Sequence, residues 1–142
     1  MPRTHIALAM RCVASAALVS ILLAAAQAQT FSVIYNFAGA PGGQQPQGNL
    51  AIDRNGVLYG TTVGGGNTQG FCTVYSDEGG CGTVFRLKPV QGGWILSVLY
   101  KFTGGSDGAL PDGGVVIGPD GALYGTTSQG GNDGCTYTVI RP

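Results

Sequence analysis

Few residues in this chain have side chains that could carry out a reaction, and their spacing argues for structure before chemistry. The one histidine, His5, lies in an N-terminal stretch whose pattern marks it for removal. Neither a Ser-His-Asp arrangement nor a His-ligated metal can then be built in what remains. Cys72 and Cys81 bracket eight residues, Thr73 to Gly80. As thiols they would need a neighbouring base to become nucleophiles. In an exported chain they are read instead as a disulfide with each other, worth roughly 2–3 kcal/mol for so short a loop. Cys135 is left as an unpaired thiol, which in a secreted chain points to an intermolecular bond or to further sequence.

The carboxylates could serve acid–base work, as paired carboxylates do in glycoside hydrolysis. Glu78 is the only glutamate and sits beside Asp77 inside the cysteine bracket. Asp53 and Asp120 flank turn sequences, where a carboxylate ordinarily binds its local backbone. Asp107 and Asp112, five residues apart in one loop, fall short of the six or more oxygens that calcium takes. Tyr59, Tyr124 and Trp94 could stack on sugar rings, but tyrosines at a repeated position are expected to fill a core. The glycine runs at 64–66 and 79–80 have no lysine and no helix after them, so they are not phosphate loops. The sequence therefore assigns no catalytic residue, no metal ligand set and no cofactor.

These residues must be held by elements, and the elements recur. Leu58-Tyr59-Gly60-Thr61-Thr62 appears again as Leu123-Tyr124-Gly125-Thr126-Thr127, 65 residues on, and 17 of the 35 positions from Val33/Val98 to Asn67/Asn132 are identical. A repeat of this kind is read as stacked supersecondary units. Each unit holds short runs of β-branched and aromatic residues between glycine-rich turns. Strands are expected at 49–53, 57–62, 83–88 and 94–102, with Arg54-Asn55-Gly56 as a tight turn whose Asn-Gly supplies positive φ. Pro119-Asp120-Gly121 is its counterpart. Phe31 to Phe37 reads as a copy of the last strand, Gly39 to Gly48 as loop, and 114–118 and 122–127 as the first two strands of a second unit. From Trp94 to Phe102 alternate residues are expected to share a face. Four short antiparallel strands per period describe a β-propeller blade, so the fold class expected is all-β, with propeller-like blades in tandem. About one and a half blades are present, a first copy at 33–97 and a partial copy at 98–142. Propellers close with about 4–8 blades, and the chain is accordingly read as a fragment of a longer repeat protein.

Residues 1–28 are set apart. Arg3 and Arg11 precede an apolar run, Val13 to Ala26, and Ala26-Gln27-Ala28 is a small-x-small cleavage signature. That is the layout of a secretory signal cut between Ala28 and Gln29; the apolar run is short of the roughly 20 residues that a membrane span needs. The remaining 114 residues, 29–142, contain five basic and seven acidic side chains, a net of 5 − 7 = −2, and all 26 glycines. With no basic excess, nucleic acid is not an expected partner. The expected location is secreted or cell-surface, with no membrane span once the signal is removed.

One family shares this pattern. Tyr35-Asn36-Phe37, Gly43 and Pro46, Asp53-Arg54-Asn55-Gly56-Val57-Leu58-Tyr59-Gly60-Thr61-Thr62, Gly65-Gly66 and Cys81-Gly82-Thr83-Val84-Phe85-Arg86-Leu87 together resemble the GloVer repeat of bacterial choice-of-anchor tandem-repeat proteins. Tyr100-Lys101-Phe102, Gly108, Pro111 and Gly121-Ala122-Leu123-Tyr124-Gly125-Thr126-Thr127 form the second pass, with Gly118 where Asp53 stood. The resemblance implies an exported, surface-associated, propeller-like repeat protein, and it supplies no catalytic residues. The expected function is a non-catalytic binding or structural module. Its partners would be further repeats of the same protein, other copies of the chain, or a surface polymer or polysaccharide. The alternative is a piece of a secreted carbohydrate-active propeller enzyme whose active site lies elsewhere.

Overall fold

The computed structural model describes residues 29–75, 79–131 and 138–142, and Val33–Pro142 forms one compact unit. Its strands are β1 (Gln44–Ile52), β2 (Leu58–Gly64), β3 (Thr83–Val90), β4 (Gly93–Lys101), β5 (Val115–Ile117), β6 (Leu123–Gly125) and β7 (Thr138–Ile140), with one helical turn, α1 (Cys72–Tyr75), between β2 and β3. The first four form an antiparallel sheet in chain order, and the last three form a second antiparallel sheet, also in chain order.

Glycine chemistry makes these connections tight. The β1–β2 turn closes with Asp53 N–H donating to the Val57 carbonyl and Gly56 N–H to that of Asp53. Only Gly56, at φ 76°, takes up the left-handed conformation there. The turn is thus of the kind that needs a single left-handed glycine, and Asn55 does not share that role as expected. Gly121, at φ 78°, does the same between β5 and β6.

Several boundaries differ from the sequence reading. β1 begins at Gln44, inside the stretch expected to be loop, because Gln44 pairs with Gly64 and Pro46 with Thr62 before the register shifts between Gln47 and Ala51. Phe31 to Phe37 is not a strand; Tyr35 and Phe37 lie over the sheet instead of extending it. The alternation along β4 breaks where Val84 pairs with Tyr100 but Phe85 with Val98. That leaves Leu99 as a bulge, and both Leu99 and Tyr100 pack on the core. β5 and β6 are shorter than expected. The second unit also has a third strand that the sequence reading lacked: Leu123, Tyr124 and Gly125 pair with Ile140, Val139 and Thr138.

The two sheets repeat one another's register. Ala51 pairs with Tyr59 and Ile52 with Leu58; 65 residues on, Val116 pairs with Tyr124 and Ile117 with Leu123. The Gln44–Gly64 pair has its counterpart in the bridge between Ala109 and Gln129. Among the described residues, the non-glycine positions with positive φ, Gln45 and Leu110, both at 54°, are also 65 apart. Tyr35 and Phe37 meet edge-on at 5.1 Å and 75°, and Tyr100 and Phe102 at 5.1 Å and 74°.

The core lies between the sheets. One face of the first sheet presents Tyr59, Thr61 and Val84, and the second sheet covers it with Val115, Leu123 and Ile140. The space left among them and Phe102 and Pro111 is about 10 Å³, room for one water molecule at most.

Candidate functional site

Each position of Leu58-Tyr59-Gly60-Thr61-Thr62 has a structural task. Leu58 pairs with Leu87. Tyr59 is 6% exposed, and its hydroxyl reaches Asp53 Oδ2 at 3.5 Å. A Cβ on Gly60 would meet the Phe85 ring and Leu50 at 2.7 Å. The Thr61 hydroxyl donates to the Gln47 carbonyl, and Thr62 shares a hydrogen bond with Thr83 and donates to the Gly64 carbonyl. Thr62 also lies where a Cβ on Gly43 would sit, and Thr127 does the same to Gly108. These residues build the sheet.

The aspartates are used in the same way. Asp53 Oδ1 accepts from the backbone N–H groups of Asn55 at 2.8 Å and Val57 at 2.9 Å. The Val57 hydrogen bond is the main reason its carboxyl titrates below the ordinary aspartate range. In the second unit Gly118 replaces it, and Asp120 Oδ1 accepts from Ala122 N–H while Tyr124 Oη lies 3.4 Å from both of its oxygens. A Cβ at Gly118 would overlap the Tyr124 ring, so the two exchanges compensate: the glycine makes room and the carboxylate moves two residues along. Asp120 also meets Arg141 at 3.4 Å. Asp107 accepts from the Thr103 backbone and hydroxyl and from Tyr100 Oη at 3.0 Å, so its oxygens tie down a loop and do not converge with Asp112. Burial first, and then the nearby Asp53 and Asp107 respectively, push the Tyr59 and Tyr100 hydroxyls above the usual phenol range.

Cys72 and Cys81 form a disulfide with both residues fully buried. Cys72 opens α1, and Cys81 N–H donates to the Asn67 carbonyl. The Cys81 and Gly82 carbonyls accept from Leu110 and Phe102, so the bridge fastens the excursion to the chain entering the second unit. Cys135, Asp77, Glu78 and the Ala28 side of the cleavage position lie outside the described residues. Among the described residues no cluster of three His, Cys, Asp or Glu could hold a metal, and no helix is long and apolar enough to cross a membrane.

Trp94 is half-buried at the start of β4, opposite Pro89. Arg86 faces Tyr59 across the strands; its Nε is buried without a hydrogen-bond partner, and Nη2 lies 3.4 Å from Ser97 Oγ.

The feature that the sequence reading did not find is an apolar groove of about 250 Å³ on the other face of the first sheet. Leu50, Phe85 and Leu87 make its floor, and Ile34, Tyr35 and Phe37 its wall. Phe37 is fixed there by Phe85, ring centroids 4.8 Å apart. Leu50 is 52% and Ile52 64% exposed. Thr83-Val84-Phe85-Arg86-Leu87 has apolar residues of both parities, and this was the signal that β3 would need cover on two sides.

Comparison of the chain with protein-family models, characterised proteins and solved structures finds no match.

Proposed function

We propose that this chain is an exported, non-catalytic module of stacked β units, propeller-like in design and of the GloVer-repeat kind, that acts by binding or by structural support at the bacterial surface. The observation that carries the reading is the shared register. Two sheets 65 residues apart have equivalent pairings, equivalent left-handed residues and equivalent tyrosine anchors, and one stacks on the other with almost no void. Among the described residues, Asp53, Asp107 and Asp120 are committed to turns and loops, Tyr59, Tyr100 and Tyr124 to those aspartates, and Cys72 and Cys81 to each other. What remains for function is a rigid scaffold that displays an excursion pinned by Cys72 and Cys81. A surface polysaccharide suits such a display, because loops on a stiff frame can present many weak contacts without ordering cost.

Export is supported by the charged start, apolar run and Ala26-Gln27-Ala28 at the N-terminus. The test is to secrete the full chain and expose it to a panel of bacterial surface polysaccharides, following both retention and release of reducing ends. Retention without release supports the module. Release of reducing ends overturns it in favour of a carbohydrate-active enzyme. Retention by none removes the polysaccharide-binding role.

A further inference from the structure

We propose that the open apolar face of the four-stranded sheet docks on the outer face of the three-stranded sheet of a second copy of the chain, head to tail. The inference rests on the stacked-unit reading above and adds to it the partner and both surfaces.

The chain already contains one such interface. Within it, Val115, Leu123 and Ile140 of the second sheet pack on Tyr59, Thr61 and Val84 of the first. The positions equivalent to Val115 and Leu123, 65 residues earlier, are Leu50 and Leu58. Leu87 pairs with Leu58 as Ile140 pairs with Leu123. These three lie on the opposite face of the first sheet, where the groove of about 250 Å³ stands open and the internal counterpart has closed to about 10 Å³. Phe37 occupies in the groove the place that Phe102 occupies in the internal contact.

The complementary half is on the same molecule. Val116 and Tyr124, paired with one another, stand 65 residues after Ala51 and Tyr59 and form the outer face of the second sheet, with Val116 65% exposed. Each copy thus offers both halves of a contact whose packing it already realises internally. Leu50, Leu58, Phe85, Leu87 and Val116 carry no charge, and the charges beside Tyr124, Asp120 and Arg141, neutralise one another. Because the two faces differ, the contact is heterologous and propagates from copy to copy.

The test is sedimentation of the full chain over a wide concentration range, with Leu50→Asp on one face and Val116→Asp on the other. Both side chains are more than half exposed, so folding is retained, and thermal unfolding checks this; Ile52→Lys and Val116→Lys replace either variant that fails to fold. The wild-type mass should rise beyond one copy with concentration. Each variant alone should stay monomeric, because every copy then lacks the same half of the contact. An equimolar mixture should form a dimer through the intact groove of the Val116 variant and the intact outer face of the Leu50 variant. A wild type that stays monomeric, self-association that survives both substitutions unchanged, or a mixture that forms no dimer overturns the docking. Leu123→Asp, inside the internal contact, separates the two ideas. If it abolishes folding while the wild type stays monomeric, only the docking fails. If it leaves unfolding unchanged, the stacked-unit reading fails with it.

Discussion

Gly43 shows how much of this fold rests on the absence of a side chain. At φ 101°, with Thr62 and Thr83 where a Cβ would go, it combines two penalties, left-handed strain and overlap. Gly56, at φ 76° with nothing within 4 Å of its absent Cβ, carries only the first. Gly56→Ala should cost about 1–2 kcal/mol from conformation alone, and Gly43→Ala about 2–4 kcal/mol once overpacking is added. Urea unfolding of the two variants measures the difference, and equal losses would mean that the Thr62 contact is unimportant. Ionisation offers a second check. Asp53 titrates low in the folded chain because Val57 and Asn55 donate to it. Its contribution is therefore present above the unfolded value, about pH 4, and is lost as pH falls below it. Tyr59 and Tyr100 titrate high; their contribution is full below about pH 10 and fades as pH rises beyond it, where the unfolded chain ionises first. Melting temperature against pH should fall at both ends, and Tyr59→Phe should flatten part of the alkaline arm without moving Asp53's acid one by more than the loss of one weak hydrogen bond.

The excursion between β2 and β3 is held at its base by backbone hydrogen bonds and by the disulfide. Gly65 N–H donates to Gly79, Gly82 N–H to Gly65, and Gly80 N–H to the Cys72 carbonyl. Replacing Cys72 and Cys81 together by alanine should cost about 2–3 kcal/mol through the freer unfolded chain. The loss should be seen as a lower urea midpoint with secondary structure retained, since no strand depends on the sulfur atoms for its pairing. The same elements explain what could be read in advance. The motif strands, the glycine turns and the Cys72–Cys81 pair were legible because each depends on local chemistry: alternation, a positive φ, a short loop between two cysteines. β7 was not: Thr138–Ile140 is β-branched and suits a strand, but three residues are too few to announce one, and nothing within them specifies pairing with Leu123–Gly125. Phe31 to Phe37 failed in the opposite sense. Its β-branched and aromatic residues suit a strand, yet the same side chains can cover a sheet face, and propensity alone does not choose between the two. The bulge at Leu99 is likewise a matter of register with β3, invisible along β4 itself.

Two sheets of four and three strands are each too small to bury both of their faces, so the stability of Val33–Pro142 depends on the surface they share. Neither sheet contributes a complete core: Val84 is 1% exposed only because the second sheet covers it, and Leu123 is 1% exposed only because the first does. This predicts that the sheets unfold together, in one transition with the same midpoint by circular dichroism and by Trp94 fluorescence, although Trp94 reports only the first. It also predicts energetic coupling across the contact. Leu123→Ala should cost about 2–5 kcal/mol and Val84→Ala somewhat less. The double variant should lose less than the sum by about 0.5–3 kcal/mol, because the second truncation removes contacts already lost to the first. Pairing Leu123→Ala with Ile95→Ala provides the control, since Ile95 is 54% exposed on β4 and outside the shared core; that pair should be additive within about 0.5 kcal/mol. Additivity in both cycles, or separate midpoints for the two probes, would mean that the sheets are independent neighbours. The internal contact would then be no template for joining one copy to the next.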